Sequence, residues 1–183
     1  MTANRSIPRL HRARLLVGLL VATLGAAAAE SKDPGWAAML ALVRERFPKV
    51  PQPSTAELAA WWSDPARPQP QLLDAREPAE FAVSHLPGAI RVAPEATAKA
   101  ILAQIEPGCP VVVYCSVGYR SSRLAARLME GGRPGVYNLE GSIFAWANKG
   151  RPLVASDEKS AVTRVHPFDA TYGKLLKPEL RAP

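Results

Sequence analysis

The chain has 183 residues, of which 48% are hydrophobic and 21% are charged, and its formal net charge is +7. This hydrophobic content excludes wholesale disorder, and the length suffices for one domain with a buried core plus additional segments. Four arginines and no acidic residue lie in residues 1–14. Without residues 1–29 the formal net charge is therefore 7 − 4 = +3. The excess of basic residues is therefore concentrated at the start of the chain, and it does not indicate nucleic-acid binding.

A basic segment followed by an apolar segment opens the chain. Residues 15–29 read LLVGLLVATLGAAAA, which is shorter than the ~20 apolar residues that span a bilayer. The basic start, the apolar segment and its alanine-rich end together predict a cleaved secretory signal peptide over residues 1–29. We therefore expect an exported, periplasmic protein of a bacterium, with an uncleaved, membrane-anchored form as the less favoured alternative.

An N-terminal helix and a linker are predicted over residues 30–53. Apolar residues recur on one helical face at positions 36, 39, 40, 43 and 47. Pro48 ends this pattern, and Pro51 and Pro53 indicate an irregular connector.

From residue 54 onward, predicted helices alternate with predicted strands. A capping-box pattern begins a helix over residues 54–62. Short apolar segments predict strands at 71–73, 89–92, 111–114 and 136–139, and helical patterns lie at 77–82, 95–105, 121–130 and 142–148. This alternation predicts an α/β fold with an open parallel sheet flanked by helices on both faces, in which ligands bind beyond the carboxyl ends of the strands. Residues 155–183 lack periodicity and are predicted to form a C-terminal extension.

A cysteine lies at the most informative of these strand ends. Cys115 follows the apolar residues 111–114 and precedes a helix, whose N-terminal N–H groups and dipole would lower the pKa of a thiol. Gly118 permits an unusual backbone conformation, and Arg120 supplies a cation beside the sulfur. The sequence thus predicts a catalytic Cys115 in an anion-binding loop formed by Ser116, Val117, Gly118, Tyr119, Arg120 and Ser121, with Ser121 or Ser122 as a helix cap.

The second cysteine, Cys109, is not expected to pair with Cys115. The residues between them have the pattern of a strand, in which six steps of ~3.3 Å place the two Cα atoms about 20 Å apart. A disulfide requires ~4.4–6.8 Å. Two free thiols are therefore predicted.

Four segments in chain order resemble the rhodanese-like (sulfurtransferase) domain family. They are LDARE at 73–77, HLPGA at 85–89, CSVGYRSS at 115–122 and the segment 141–152, and the resemblance covers about residues 54–154. It implies a parallel sheet of about five strands. It also implies transfer of sulfane sulfur through a Cys115 persulfide, from a donor such as thiosulfate or polysulfide to a thiol, cyanide or sulfite, with no metal and no organic cofactor.

The resemblance also assigns supporting residues. It implies that Arg76 lies near the active-site pocket, that Asp74 helps to hold the neighbouring loops, and that His85 shapes a turn. Two other functions stay open beside sulfur transfer. One is a persulfide carrier or interaction module that serves a periplasmic protein partner. The other is a cysteine phosphatase or arsenate reductase, which the resemblance disfavours because four residues, instead of five, separate Cys115 from Arg120.

Overall fold

The computed structural model describes residues 34–157 and 159–183, so the predicted signal peptide lies outside the described residues. Six helices are described, and they are α1 (Pro34–Arg46), α2 (Thr55–Trp62), α3 (Pro78–Val83), α4 (Ala98–Leu102), α5 (Tyr119–Glu130) and α6 (Ser142–Asn148). The described strands are β1 (Gln71–Asp74), β2 (Ile90–Arg91), β3 (Val111–Tyr114), β4 (Val136–Asn138), β5 (Leu153–Val154) and β6 (Ala161–Val162). Short 3-10 helices follow at Tyr172–Leu175 and Pro178–Leu180. No helix in these two ranges is both long and apolar enough to cross a bilayer.

Four strands form one parallel sheet in the order β2-β1-β3-β4, which confirms the predicted α/β architecture. The chain leaves β1 in one direction to form β2 and then returns to the opposite side of β1 to form β3. The carboxyl ends of β1 and β3 are therefore neighbours at the point where the strand order reverses. Open α/β sheets bind ligands at such a point, and Cys115 directly follows β3 there.

The parallel sheet of the described residues has four strands, whereas about five were expected. The position beside β4 is held by the connector, where Pro51 O accepts a hydrogen bond from Asn138 N at 2.9 Å and Pro53 O accepts one from Glu140 N at 2.9 Å. Proline has no N–H with which to return such bonds. The connector therefore lies along the sheet edge without completing a ladder, and the strand count falls by one.

Helices cover both faces of the sheet, as predicted. Residues of α1, α2 and α6 pack with Leu72, Val112 and Tyr114 on one face. Residues of α4 and α5 pack with Leu73 and Val113 on the other face. Because neighbouring residues of a strand point to opposite faces, the fully buried β3 contributes to both hydrophobic cores and fixes its carboxyl end firmly.

The segments outside the repeating strand–helix unit pack on the face that carries α6. Trp36 and Val165 are buried in the core of this face. The indole Nε1 of Trp36 donates a hydrogen bond to Leu175 O at 3.1 Å, and Asn148 Nδ2 of α6 donates to the same carbonyl at 2.7 Å. The N-terminal helix and the C-terminal extension are therefore joined to each other and to α6.

Candidate active site

Backbone hydrogen bonds from α6 hold the loop that begins at Cys115. Ile143 N donates to Cys115 O at 3.2 Å, and Phe144 N donates to Ser116 O at 3.1 Å. Ser142 Oγ accepts a hydrogen bond from Cys115 N at 3.1 Å. The first two bonds use N–H groups of the first turn of α6, which have no partner within their own helix, and the third uses a side chain of the same turn. The loop is thus fixed by two elements, β3 before it and α6 beside it.

The Cys115 thiol is buried, with 1% of the residue exposed. Gly118 N donates to Cys115 Sγ at 3.2 Å, and the Ser121 hydroxyl lies 3.4 Å from the same sulfur. Burial raises the pKa of Cys115, but the charge of Arg120 and the hydrogen bonds from Ser121 and Gly118 outweigh burial and lower the pKa overall. A lowered pKa favours the thiolate, which is the nucleophilic form of cysteine.

Helix α5 begins two residues earlier than predicted, and this changes the role of Ser121. Gly118 occupies the N-cap position with φ 111°, a conformation that favours glycine, and makes no side-chain cap. The prediction that Ser121 or Ser122 caps the helix is therefore wrong, because both residues lie within its first turn. The Ser121 hydroxyl instead donates to Asn138 Oδ1 at 2.6 Å and turns toward the sulfur of Cys115.

A polar chain continues from Ser121 to the connector. Asn138 at the end of β4 donates from Nδ2 to Gln52 Oε1 at 3.1 Å. The amide of Asn138 thereby fixes the hydroxyl that faces Cys115, and Gln52 fixes the amide. Asn138 and Gln52 were not predicted as site residues, because nothing in their local sequence indicates that β4 and the connector meet beside the loop.

A carboxylate–guanidinium pair, formed by the buried Glu80 and the half-buried Arg120, lies beside the thiol. Arg120 donates from Nη1 to Glu80 Oε2 and from Nη2 to Glu80 Oε1, both at 2.8 Å, and from Nη2 to Ser116 Oγ at 2.9 Å. The Ser116 hydroxyl donates to Glu80 Oε1 at 2.8 Å. Glu80 is a site residue that the sequence did not reveal, and its charge compensates the cation of the predicted anion-binding loop.

We expect substitution of Glu80 by glutamine to remove an acid-sensitive contribution to stability. Burial raises the pKa of Glu80, but Arg120, the Glu77 N–H and Ser116 outweigh burial and lower it overall. The ionised carboxylate therefore adds stability that is present above pH ~4.3, the unfolded pKa of glutamate, and is lost as the pH falls through the lower folded pKa. Urea unfolding should show wild type more stable than Glu80→Gln by about 2 kcal/mol at pH 7. The difference should shrink at pH 3, and a difference independent of pH would contradict this assignment.

The structure separates the other predicted loop residues by their exposure. The Val117 side chain is buried and belongs to the core that includes α6, so it anchors the loop. Tyr119 is among the exposed large hydrophobic residues, and its ring packs edge-on against Phe47 at a centroid distance of 5.3 Å. Phe47 follows α1, so a residue outside the predicted domain supports the rim of the site.

Asp74 and Arg76 form a fully buried ion pair beside the site. Arg76 Nη2 donates to Asp74 Oδ2 at 2.6 Å and to Ser84 O at 2.6 Å, and Arg76 N donates to Asp74 Oδ1 at 3.0 Å. These hydrogen bonds hold the turn that follows β1 and the end of α3. Arg76 thus has the role expected for Asp74, which is to hold neighbouring loops, and its described hydrogen bonds do not reach Cys115.

His85 is buried in the turn where it was predicted. Its ring stacks on Phe81 at a centroid distance of 3.8 Å, and its backbone exchanges hydrogen bonds of 3.0 Å with Val154. His85 therefore joins this turn to β5. Within residues 34–157 and 159–183, no group of three or more His, Cys, Asp or Glu residues has the arrangement of a metal site.

The fold and the site together define a class of α/β proteins that carry a reactive cysteine in the loop after the central strand of a parallel sheet. The model of the rhodanese-like domain matches residues 55–149, which is more than half of the chain. The chain therefore belongs to the rhodanese-like domain family. The division of the chain outside the matched residues stays a prediction.

Curated relatives include proteins named for sulfur transfer. A sulfurtransferase of Allochromatium vinosum is 40% identical over 86 residues, which are 47% of this chain and 79% of that protein. The probable adenylyltransferase/sulfurtransferase MoeZ of Mycobacterium tuberculosis is 31% identical over 93 residues, which are 50% of this chain but 23% of that protein. The similarity to MoeZ is thus limited to one part of a much longer chain.

Solved structures share the fold. A thiosulfate sulfurtransferase from Pseudomonas aeruginosa is 24% identical, with a TM-score of 0.54, over 78% of this chain and 26% of that chain. A rhodanese-like domain protein from Staphylococcus aureus is 23% identical, with a TM-score of 0.51, over 58% of this chain and 99% of that chain. At these identities the likeness establishes the fold and leaves substrates open.

Proposed function

We propose that this member of the sulfurtransferase family transfers sulfane sulfur through a persulfide on Cys115. The observation that carries this proposal is the sulfur environment: a buried thiol whose pKa is lowered, with the backbone N–H groups of Gly118 and Ser121 directed at it. Preorganised donors of this kind stabilise negative charge on the atom they face. The thiolate carries that charge on Sγ, and the anionic persulfide carries it on the outer sulfur bonded to Sγ.

The reaction has two steps. In the first, the Cys115 thiolate attacks the outer sulfur of the donor, the S–S bond of the donor breaks, and its electron pair leaves with the remainder of the donor. In the second, a thiol, cyanide or sulfite attacks the outer sulfur of the persulfide, and the electron pair returns to Cys115 as the thiolate. Splitting the transfer in this way predicts ping-pong kinetics.

The phosphatase alternative is disfavoured by the state of Arg120. Phosphate recognition uses the planar guanidinium fork in a bidentate arrangement. In this structure both terminal nitrogens of Arg120 donate to Glu80. The fork is therefore already occupied by a carboxylate, which also carries the charge that would repel a phosphate ester.

The cellular setting stays a proposal. The basic and apolar pattern of residues 1–29 supports export to the periplasm. That compartment is kept oxidising, so a reactive thiol there needs either a reductant or a persulfide as its resting form. The persulfide carrier, loaded by a protein partner, is the second candidate, because a sulfur atom buried as deeply as that of Cys115 restricts access.

The proposal is tested by intact mass measurement of the protein after incubation with thiosulfate or polysulfide. We expect a gain of one sulfur atom that cyanide reverses, in wild type and equally in Cys109→Ser, because Cys109 is half-buried and lies outside the loop, two residues before β3. Absence of a gain with every sulfane donor would contradict the enzyme proposal and would favour the partner-loaded carrier.

A further inference from the structure

The C-terminal extension reaches the site described above. Phe168 lies outside the matched family domain, and its ring lies over the Arg120 guanidinium, with 4.6 Å between Cζ and the ring centroid. The same guanidinium is the cation that lowers the pKa of Cys115. The side chain of Arg120 therefore lies between Phe168 and the reactive sulfur.

Phe168 is held in place at a cost in free energy. Its φ is +66°, which is unusual for a residue with a side chain of this size. Phe168 N donates to His166 Nδ1 at 3.0 Å, Asp169 N donates to Pro167 O at 2.8 Å, and the ring packs edge-on against Tyr172 at 5.8 Å. Such strain persists only where contacts with the surrounding structure hold the conformation in place. These contacts therefore fix the position of the Phe168 ring.

The ring is presented to solvent instead of being buried in a core. Phe168 is 42% exposed, although it packs on Arg120. Tyr119, the residue before Arg120, is 36% exposed. Phe168 therefore presents an exposed aromatic surface directly beside the guanidinium, and an apolar group bound at the mouth of the site would contact it.

The charge of Arg120 is correspondingly less available. Its terminal nitrogens donate to Glu80 and Ser116, and one face of its plane is covered by the Phe168 ring. A small dianion such as thiosulfate depends on free cations and N–H donors. A donor with an organic group gains contact area with an aromatic ring instead.

We propose that Phe168 is a specificity-determining residue, which favours sulfane donors that carry an apolar organic group over the small inorganic dianion thiosulfate. This inference rests on the proposed function, and it names the substrate class of that site. The donor's organic group lies against Phe168 while its outer sulfur meets Cys115.

Organic thiosulfonates, R–SO2–S⁻, provide matched donors. The Cys115 thiolate attacks the outer sulfur, the S–S bond breaks, and the sulfinate R–SO2⁻ leaves with the electron pair. Cyanide then attacks the outer sulfur of the persulfide, which yields thiocyanate and the Cys115 thiolate. Benzenethiosulfonate and methanethiosulfonate have the same charge and both release a sulfinate, and they differ in whether R is a phenyl ring or a methyl group. Thiocyanate is measured for every donor.

The experiment compares kcat/KM for benzenethiosulfonate, methanethiosulfonate and thiosulfate in wild type and Phe168→Ala. We expect wild type to use the three donors in that order of preference. Phe168→Ala should reduce the preference for benzenethiosulfonate over methanethiosulfonate by about 3- to 10-fold, the size of an aromatic contact. The kcat/KM for cyanide should stay unchanged, because the second step does not involve the donor's organic group.

Two further variants separate this role from a structural one. Phe168→Gly removes the ring and relieves the positive φ, so it should lose the same preference without loss of thermal stability. Leu42→Ala truncates another exposed side chain, 49% exposed on α1, and should keep the wild-type preference.

The outcomes distinguish the role of Phe168 from the sulfurtransferase activity on which it rests. A ratio unchanged in Phe168→Ala, or an equal loss with all three donors, would overturn the role of Phe168 and leave the sulfurtransferase proposal standing. Absence of thiocyanate from every donor with wild-type protein would overturn the proposed function itself, and this inference with it.

Discussion

Replacement of Cys115 by serine should abolish sulfur transfer while the protein stays folded. A serine hydroxyl is not ionised at neutral pH and forms no persulfide, so kcat/KM should fall by about 10⁴-fold or more. The fold should be retained, because the Gly118 N–H and the Ser121 hydroxyl that face the sulfur can bond to an oxygen in its place. Thiocyanate formation from thiosulfonate and cyanide measures the activity, and circular dichroism measures the fold.

Cys109→Ser is the matched control for this variant. Cys109 Sγ lies 3.3 Å from Gln69 O and 3.4 Å from Pro110 O, away from the loop. This control should keep most of the wild-type activity. If Cys115→Ser turned over like wild type, or if Cys109→Ser lost the activity, the assignment of the nucleophile would be wrong.

Replacement of Arg120 by alanine should have the second largest effect, through the pKa of Cys115. Burial raises this pKa, and the charge of Arg120 makes the largest of the contributions that lower it. Without Arg120, burial dominates and the Glu80 carboxylate is left without its guanidinium partner near the sulfur, so the pKa rises. The fraction of thiolate at neutral pH then falls about tenfold for each pKa unit.

The measurement is the pH profile of Cys115 alkylation by iodoacetamide in a Cys109→Ser background. Reactivity appears as the pH rises through the pKa, so the profile of Arg120→Ala should move to higher pH. The donor half-reaction should fall by about 10²-fold at pH 7, as for loss of one preorganised electrostatic contact. An unshifted profile would show that Arg120 does not stabilise the thiolate.

Two further variants, Arg120→Lys and Arg123→Ala, test whether the shift is specific to Arg120. Arg120→Lys keeps the charge but loses the planar fork that fits the Glu80 carboxylate. Its pH profile of alkylation should therefore lie between the profiles of wild type and Arg120→Ala. Arg123→Ala removes an exposed arginine three positions beyond Arg120 on the same helix α5. Its profile should match that of wild type.

The loop around Cys115 could be predicted because its signals are local. A buried strand, a glycine and a helical pattern follow one another between residues 111 and 130, and the structure has the strand at the predicted residues. The helix start was misplaced because Gly118 caps the helix by its backbone conformation, with φ 111°. A serine in the first turn resembles a cap in sequence, although its hydroxyl bonds elsewhere.

The rest of the site depends on contacts between distant parts of the chain. Glu80 lies 40 positions before Arg120, and its local pattern indicates the capping of α3, a role that it also fills by accepting a hydrogen bond from Glu77 N at 3.0 Å. Phe168 belongs to a segment without periodicity, so no pattern distinguishes it from a solvated residue. The contacts of Glu80 and Phe168 with Arg120 are set by tertiary packing. The spacing of residues along a single sequence does not reveal such contacts.

The connector at Pro51 and Pro53 has a consequence for association with other chains. An open sheet edge presents unpaired N–H and C=O groups on which a second polypeptide can pair and begin to aggregate. In this protein the N–H groups of Asn138 and Glu140 are already bonded to the connector carbonyls. The edge at β4 is therefore closed by a segment whose prolines cannot continue a ladder, and this protection is provided by residues that precede the family domain.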